Sequence, residues 1–203
     1  MDNEICITFL RHGRAQHHDE GKHGGQYDSA LTELGKSQVR ARALGWQAEG
    51  MRFDSIIAST LQRALTSARI IGEILGAPVE TDADWMEMDN GPLAGISRKI
   101  ALAQYPKPAF RNPYEPFCGS GESDWELYCR AARAVEKVVR RGAGHYLVVA
   151  HGGILNAALR TIVGAQPAVN RQGVWFALGE AGYVRATYEL QQHHWVIEEL
   201  VQS

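Results

Sequence analysis

The stretch Ile5–Gly13, ICITFLRHG, decides the fold. Its first six residues, Ile5–Leu10, form a short apolar and β-branched run, the mark of a strand buried on both faces, and the run stops abruptly at Arg11-His12-Gly13. The same arrangement returns twice. Ser55–Ala58 leads into Ser59 and Arg63, and Leu147–Ala150 leads into His151-Gly152-Gly153. Helical patterns follow the second and third runs, over Leu61–Leu75 with Gly76 and Pro78 as its stop, and over Ile154–Val163.

Between these units the chain supplies more helices. Thr32 is placed to cap a helix whose apolar positions Leu34, Ala41, Leu44 and Ala48 recur near a 3.6 period, ending at Gly50. Ser123 and Glu126 form a capping box for a helix with Leu127, Ala131, Val135 and Val138 inward and Arg130, Arg133, Lys137 and Arg141 outward. Strands alternating with helices predict an α/β fold, a three-layer α/β/α sandwich around a mainly parallel central sheet, in one domain over 1–203. The tail differs: Val174–Leu178, Tyr183–Glu189 and Trp195–Val201 read as a meander finishing one sheet edge, a surface that could also serve a homodimer. Two segments carry no such period. Arg14–Ala30 is polar and Gly-rich, and 97–121 interleaves Pro106, Pro108, Pro113 and Pro116 with Tyr105, Phe110, Tyr114 and Phe117, a candidate lid.

Composition narrows the function classes. The chain has 203 residues, 45% hydrophobic and 22% charged, which argues against long disorder. A net charge of −2 gives no global field for a nucleic-acid backbone, and no apolar run is long enough to span a membrane. Asp2 and Glu4 stand where a secretory signal would be basic, so the expected location is the cytoplasm. Cys6, Cys118 and Cys129 lack the spacing of a zinc ribbon or a disulfide framework.

The chemistry is expected at the carboxyl ends of the parallel strands, where loops gather into a crevice. Arg11, His12, Arg63 and His151 converge there, with glycines such as Gly152 that let backbone amides approach a ligand and with helix N-termini suited to phosphate. His17, His18 and His23 beside Asp19 and Glu20 could bind a metal, but a flexible glycine-flanked loop fixes ligand geometry poorly, so a solvated loop is the expectation. Neither a P-loop nor a Rossmann glycine fingerprint is present.

Six blocks in order resemble the histidine phosphatase (phosphoglycerate mutase-like) superfamily. They are FLRHG; SALTELGKSQ at Ser29–Gln38; ASTLQRALTSA at Ala58–Ala68; EMDNGPLAG at Glu87–Gly95; GES at Gly121–Ser123; and VVAHGG at Val148–Gly153. The resemblance implies a phosphohistidine intermediate on His12, phosphoryl clamping by Arg11 and Arg63, a further donor in His151, and proton donation to the leaving oxygen by Glu87. It implies a metal-independent, cofactor-free phosphatase of the histidine acid phosphatase type, acting on a small phosphorylated metabolite and releasing inorganic phosphate. His18 stands where many members have Asn, and with Arg14 it is a candidate phosphate or substrate contact. Arg14 either adds a cation for a second anionic group or faces solvent; Lys107 and Arg111 pose the same choice in the lid. A mutase is the alternative, but the mutases resembled are longer and carry adjacent arginines in the lid, a pair not seen between Ser97 and Gly121. A non-catalytic phospho-ligand module is a third, weaker reading.

Overall fold

A computed structural model describes residues 4–203; Asp2 lies outside the described residues. In chain order the elements are β1 (Glu4–Arg11), α1 (Gln16–Asp19), α2 (Glu33–Ala48), β2 (Ser55–Ala58), α3 (Gln62–Leu75), β3 (Val79–Thr81), α4 (Arg98–Gln104), α5 (Asp124–Val139), β4 (Gly144–Ala150), α6 (Gly152–Ile162), β5 (Tyr183–Glu189) and β6 (His194–Val201). Among the described residues the strands make one six-stranded sheet in the order β3-β2-β4-β1-β5-β6. β3, β2, β4 and β1 run parallel, β5 pairs antiparallel with β1, and β6 antiparallel with β5. The α/β sandwich read from the sequence is therefore present.

Side-chain alternation distributes the central strands over two cores. Ile5, Ile7, Phe9, Val148 and Ala150 pack with residues of α5 and α6 on one face, and Leu10, Ile56, Ala58, Leu147 and Val149 with residues of α2 and α3 on the other. No polar face is left on β1 or β4, which is why their sequences read as continuous apolar runs. Arg11 lies opposite Ala150, and Ala58 opposite Val149, so three neighbouring strands end at one level. The His12 amide then donates to the Ala150 carbonyl (3.0 Å) and the Ser59 amide to the Val149 carbonyl (3.0 Å).

Several expectations are corrected. In α2 the buried residues are Gly35, Val39, Ala43 and Trp46, while Leu34 and Leu44 are 57% and 50% exposed. Both stripes fit the helical period, and the one carrying Trp46 has more apolar area to bury, against Phe53 and Tyr183. Gly35 belongs to that face because backbone meets backbone: a Cβ on it would overlap the Arg14 carbonyl oxygen, and one on Gly13 would overlap the carbonyl of Gly35. Val174–Leu178 is not a strand. Its polar backbone groups are taken by side chains instead, Phe176 by Asn156, Leu178 by Arg11 and Val174 by Arg160. The tail thus contributes two strands, and β3, only three residues long, completes the opposite edge.

The two aperiodic segments also hold structure. α1 interrupts 14–30 and buries His17, so this is no solvated loop. α4 opens the candidate lid, beginning at Ser97, whose hydroxyl caps the Ile100 amide. Beyond it Phe110 and Tyr114 are 61% and 65% exposed. Among the described residues no helix is long and apolar enough to cross a membrane.

Candidate active site

The carboxyl ends of β1, β2 and β4 deliver His12, Ser59 and His151 side by side, and α3 adds Arg63 from its first turn. His12 Nδ1 lies 2.6 Å from the Gly13 carbonyl oxygen, which can only accept, so Nδ1 carries the proton and Nε2 keeps a lone pair. Arg63 Nε donates to that Nε2 (3.3 Å) and to His151 Nδ1 (3.2 Å). His151 then donates from Nε2 to Ser59 Oγ at 2.8 Å. Burial, reinforced by Arg63 in both cases, holds both imidazoles well below the usual histidine range, so both are neutral.

Arg63 is itself 1% exposed and fixed on all sides. Its Nη1 donates to the Tyr27 carbonyl (2.8 Å) and its Nη2 to the Gly25 carbonyl (2.7 Å). Burial pushes its guanidinium down to about 10, partly offset by Glu87 and Asp28. Arg11 donates from Nη1 to the Leu178 carbonyl (2.8 Å), but its buried Nε has no hydrogen-bond partner. A partly buried cation with a buried, unpartnered N–H beside two neutral imidazoles is suited to receive an anion.

Glu87 faces this cluster from the loop after β3. Trp85 and Met88 anchor the loop in the core, and the carboxylate accepts N–H bonds from Met88 (2.8 Å), Gly153 (2.9 Å) and Ile154 (3.1 Å). The last two are free amides of the α6 N-terminus, so the helix end expected to meet phosphate is occupied by Glu87. Arg130, read from the helical wheel as outward, is the residue that sequence reasoning missed. Its guanidinium is half-buried, donates to the carbonyls of Asp84 (2.8 Å), Met86 (2.7 Å) and Glu87 (3.3 Å), and pairs with Glu122 at 2.7 Å. It sets the backbone on which Glu87 stands, and only the nearby GES block hinted at a partner.

One cavity of 590 Å³ is lined by Arg11, His12, His18, Arg63, Glu87 and Gly152, among others. His151 closes its floor through Arg63. His18 stacks at 6.1 Å from His12, and His17 lies at 6.5 Å with Nδ1 2.6 Å from Ser29 Oγ. Burial pushes His17 down to about 3. Arg14 is not in this cavity: it pairs with Asp19 (2.7 Å) and Glu180 (3.2 Å) in an adjoining hollow. Its charge is paired with both carboxylates, and its side chain is partly exposed. Among the described residues no group of three or more His, Cys, Asp or Glu side chains is spaced to hold a metal ion.

The chain thus carries a mainly parallel α/β sheet with paired histidines and arginines at its strand ends. Comparison places it more closely: residues 7–202 match the family model of the histidine phosphatase superfamily (branch 1), and the chain belongs to that family. It is 33% identical over 171 residues to a 2,3-bisphosphoglycerate-dependent phosphoglycerate mutase of Methylobacterium sp. (strain 4-46), covering 79% of this chain and 82% of the relative. It is 30% identical over 201 residues to a glucosyl-3-phosphoglycerate phosphatase of Mycobacterium tuberculosis, covering 93% and 86%. Among solved structures, a mycobacterial glucosyl-3-phosphoglycerate phosphatase in complex with VO3 superposes with a TM-score of 0.82 at 24% identity, over 98% of this chain and 99% of that one.

Proposed function

We propose that this protein is a metal-independent phosphomonoesterase working through a phosphohistidine on His12. The observation that carries the reading is the placing of His12, its Nδ1 on the Gly13 carbonyl and its Nε2 facing Arg63, with the His151 ring 5.0 Å away and Arg11 and Glu87 lining the same cavity. Nε2 attacks phosphorus while the ester P–O bond breaks, and Glu87 delivers a proton to the departing oxygen. Water then attacks the phosphohistidine, giving its proton to Glu87, and the P–N bond breaks to release phosphate and restore neutral His12. Arg11 and Arg63 stabilise the charge on the non-bridging oxygens throughout, and His151 positions Arg63 by accepting from its Nε.

Hydrolysis rather than mutase-type transfer is favoured because a mutase must keep water from its phosphoenzyme, and Phe110 and Tyr114 of 97–121 stay largely in solvent rather than closing over the site. Three free cysteines, Cys6, Cys118 and Cys129, suit a reducing cytoplasm.

The direct assay is phosphate release from a phosphomonoester panel with and without EDTA. Release within about twofold in the two conditions is expected, since arginines rather than a metal neutralise the charge. Chelator-dependent release, or isomerisation of a phosphorylated hydroxy acid outpacing release, would replace this reading.

Gly153→Ala tests Glu87 separately. A Cβ there would overlap Glu87 Oε1, and the flexible carboxyl can swing aside at the cost of its bonds to the Gly153 and Ile154 amides, so destabilisation stays within about 2 kcal/mol. Turnover of alkyl phosphates is expected to fall roughly 10- to 100-fold, and that of aryl phosphates much less, because good leaving groups need little protonation. Equal losses on both substrates would remove Glu87 from the proton-donor role.

A further inference from the structure

A second chamber of 840 Å³ adjoins the first and shares with it His23, Gly24, Gly25, Glu87, Gly153 and Trp175. Its position beyond Glu87 is where the leaving alcohol of the proposed reaction must lie. Met88, Leu127, Phe117 and Trp175 make part of its wall apolar.

Three arginines enter this chamber. Arg111 Nε and Nη2 donate to Asp124 Oδ2 and Oδ1 (both 2.9 Å), and Arg171 Nε and Nη2 donate to Asp124 Oδ1 at 3.0 and 2.8 Å. One carboxylate is thereby shared by two guanidiniums. Arg160 donates from Nε to the Val174 carbonyl (2.8 Å) and lies 5.5 Å from the Trp175 ring centre, and among the described residues no carboxylate pairs with it. The half-buried cluster therefore carries more positive charge than its carboxylate balances.

The backbone holds the cluster in place against local preference. Asn170 and Arg171 sit at φ 54° and 56°, a left-handed conformation that side chains rarely adopt in succession. Asn170 bonds both ways to Arg111, its amide to the Arg111 carbonyl (3.0 Å) and its Oδ1 to the Arg111 amide (2.7 Å). Asn90 Oδ1, also on the chamber wall, is buried without a donor.

We infer that the alcohol part of the substrate carries a second anionic group, a carboxylate or a second phosphate, seated between Arg160 and Arg171. This rests on the phosphomonoesterase reading and narrows it to esters with two anionic ends joined by a short apolar stretch. The two cations that seat the second end come from α6 and the turn at 169–171; Lys107 and Arg111 of the segment 97–121 also line the chamber, Arg111 with its charge on Asp124.

The test compares n-alkyl phosphates of two to six carbons with the same chains ending in a carboxylate or in a second phosphate. At the best length kcat/KM for the anionic member is expected to exceed the alkyl phosphate by roughly 10- to 100-fold. The better of the two anionic series identifies the group. In Arg160→Gln the ratio is expected to fall toward one; because both rates come from one preparation, the ratio does not depend on the folded fraction. A native ratio near one at every length, or a ratio unchanged in Arg160→Gln, overturns the subsite. If no ester is turned over, the phosphomonoesterase reading fails on its own, and calorimetry of the same pairs on His12→Ala still reads the subsite. There, tighter binding of the anionic members that disappears with Arg160→Gln upholds it, and equal binding overturns it.

Discussion

His12→Ala is expected to lower kcat by at least about ten-thousandfold while the protein still folds. The imidazole is the group that forms the covalent bond, and no neighbour can substitute. His151 has both ring nitrogens engaged, Nδ1 by Arg63 and Nε2 by Ser59, and does not line the cavity that His12 lines. His17 and His18, although their rings lie within 6.5 Å of the His12 ring, are held by Ser29 and by the Ala15 amide. The fold loses two hydrogen bonds, from Nδ1 to the Gly13 carbonyl and from Arg63 Nε to Nε2, worth about 1 kcal/mol each. Phosphate binding should survive, because Arg11 and Arg63 remain. Turnover retained within tenfold, measured by phosphate release on protein of verified fold, would remove His12 from the nucleophile role.

Arg63→Met separates activity from stability. Holding the guanidinium charged while pushing it from 12.5 down to about 10 costs the folded state roughly 3 kcal/mol, and the uncharged variant is relieved of that cost. Against this, the Tyr27 and Gly25 carbonyls lose their donors, at roughly 1–3 kcal/mol each. The two terms nearly cancel, so net destabilisation stays within about 3 kcal/mol. Catalysis has no such compensation. Loss of a side chain that hydrogen-bonds both His12 and His151 is expected to reduce kcat/KM by about a thousandfold or more. Denaturant melts and steady-state kinetics on the same variant check the contrast, and a rate loss no larger than the stability loss can explain would contradict it.

The parallel core was legible because β1, β2 and β4 are buried on both faces, so that burial alone writes their sequences. The site residues were legible for a related reason: Arg11, Ser59 and His151 end apolar runs with groups that no core would choose. What the sequence hid depends on tertiary context. Two stripes of α2 satisfy one period, and only packing around Trp46 selects between them. Arg130 sits at the margin of an amphipathic helix, where a guanidinium reaching inward to carbonyls looks the same as one reaching outward to water. Val174–Leu178 has strand composition, but its partners are side chains of α6 and Arg11. Arg160 and Arg171 of the second chamber come from α6 and from a left-handed turn, outside the segment 97–121 that supplies Lys107 and Arg111 to the same chamber.

The most direct test of the central claim is to catch the intermediate. Native protein mixed with an aryl phosphate and quenched into alkali, where a phosphorus–nitrogen bond on imidazole persists, is digested and mapped by mass spectrometry. The account predicts one phosphoryl group per chain, on His12, decaying with the rate of turnover and absent from His12→Ala. Steady phosphate release with no phosphohistidine at His12, or with the label on another residue, would contradict it.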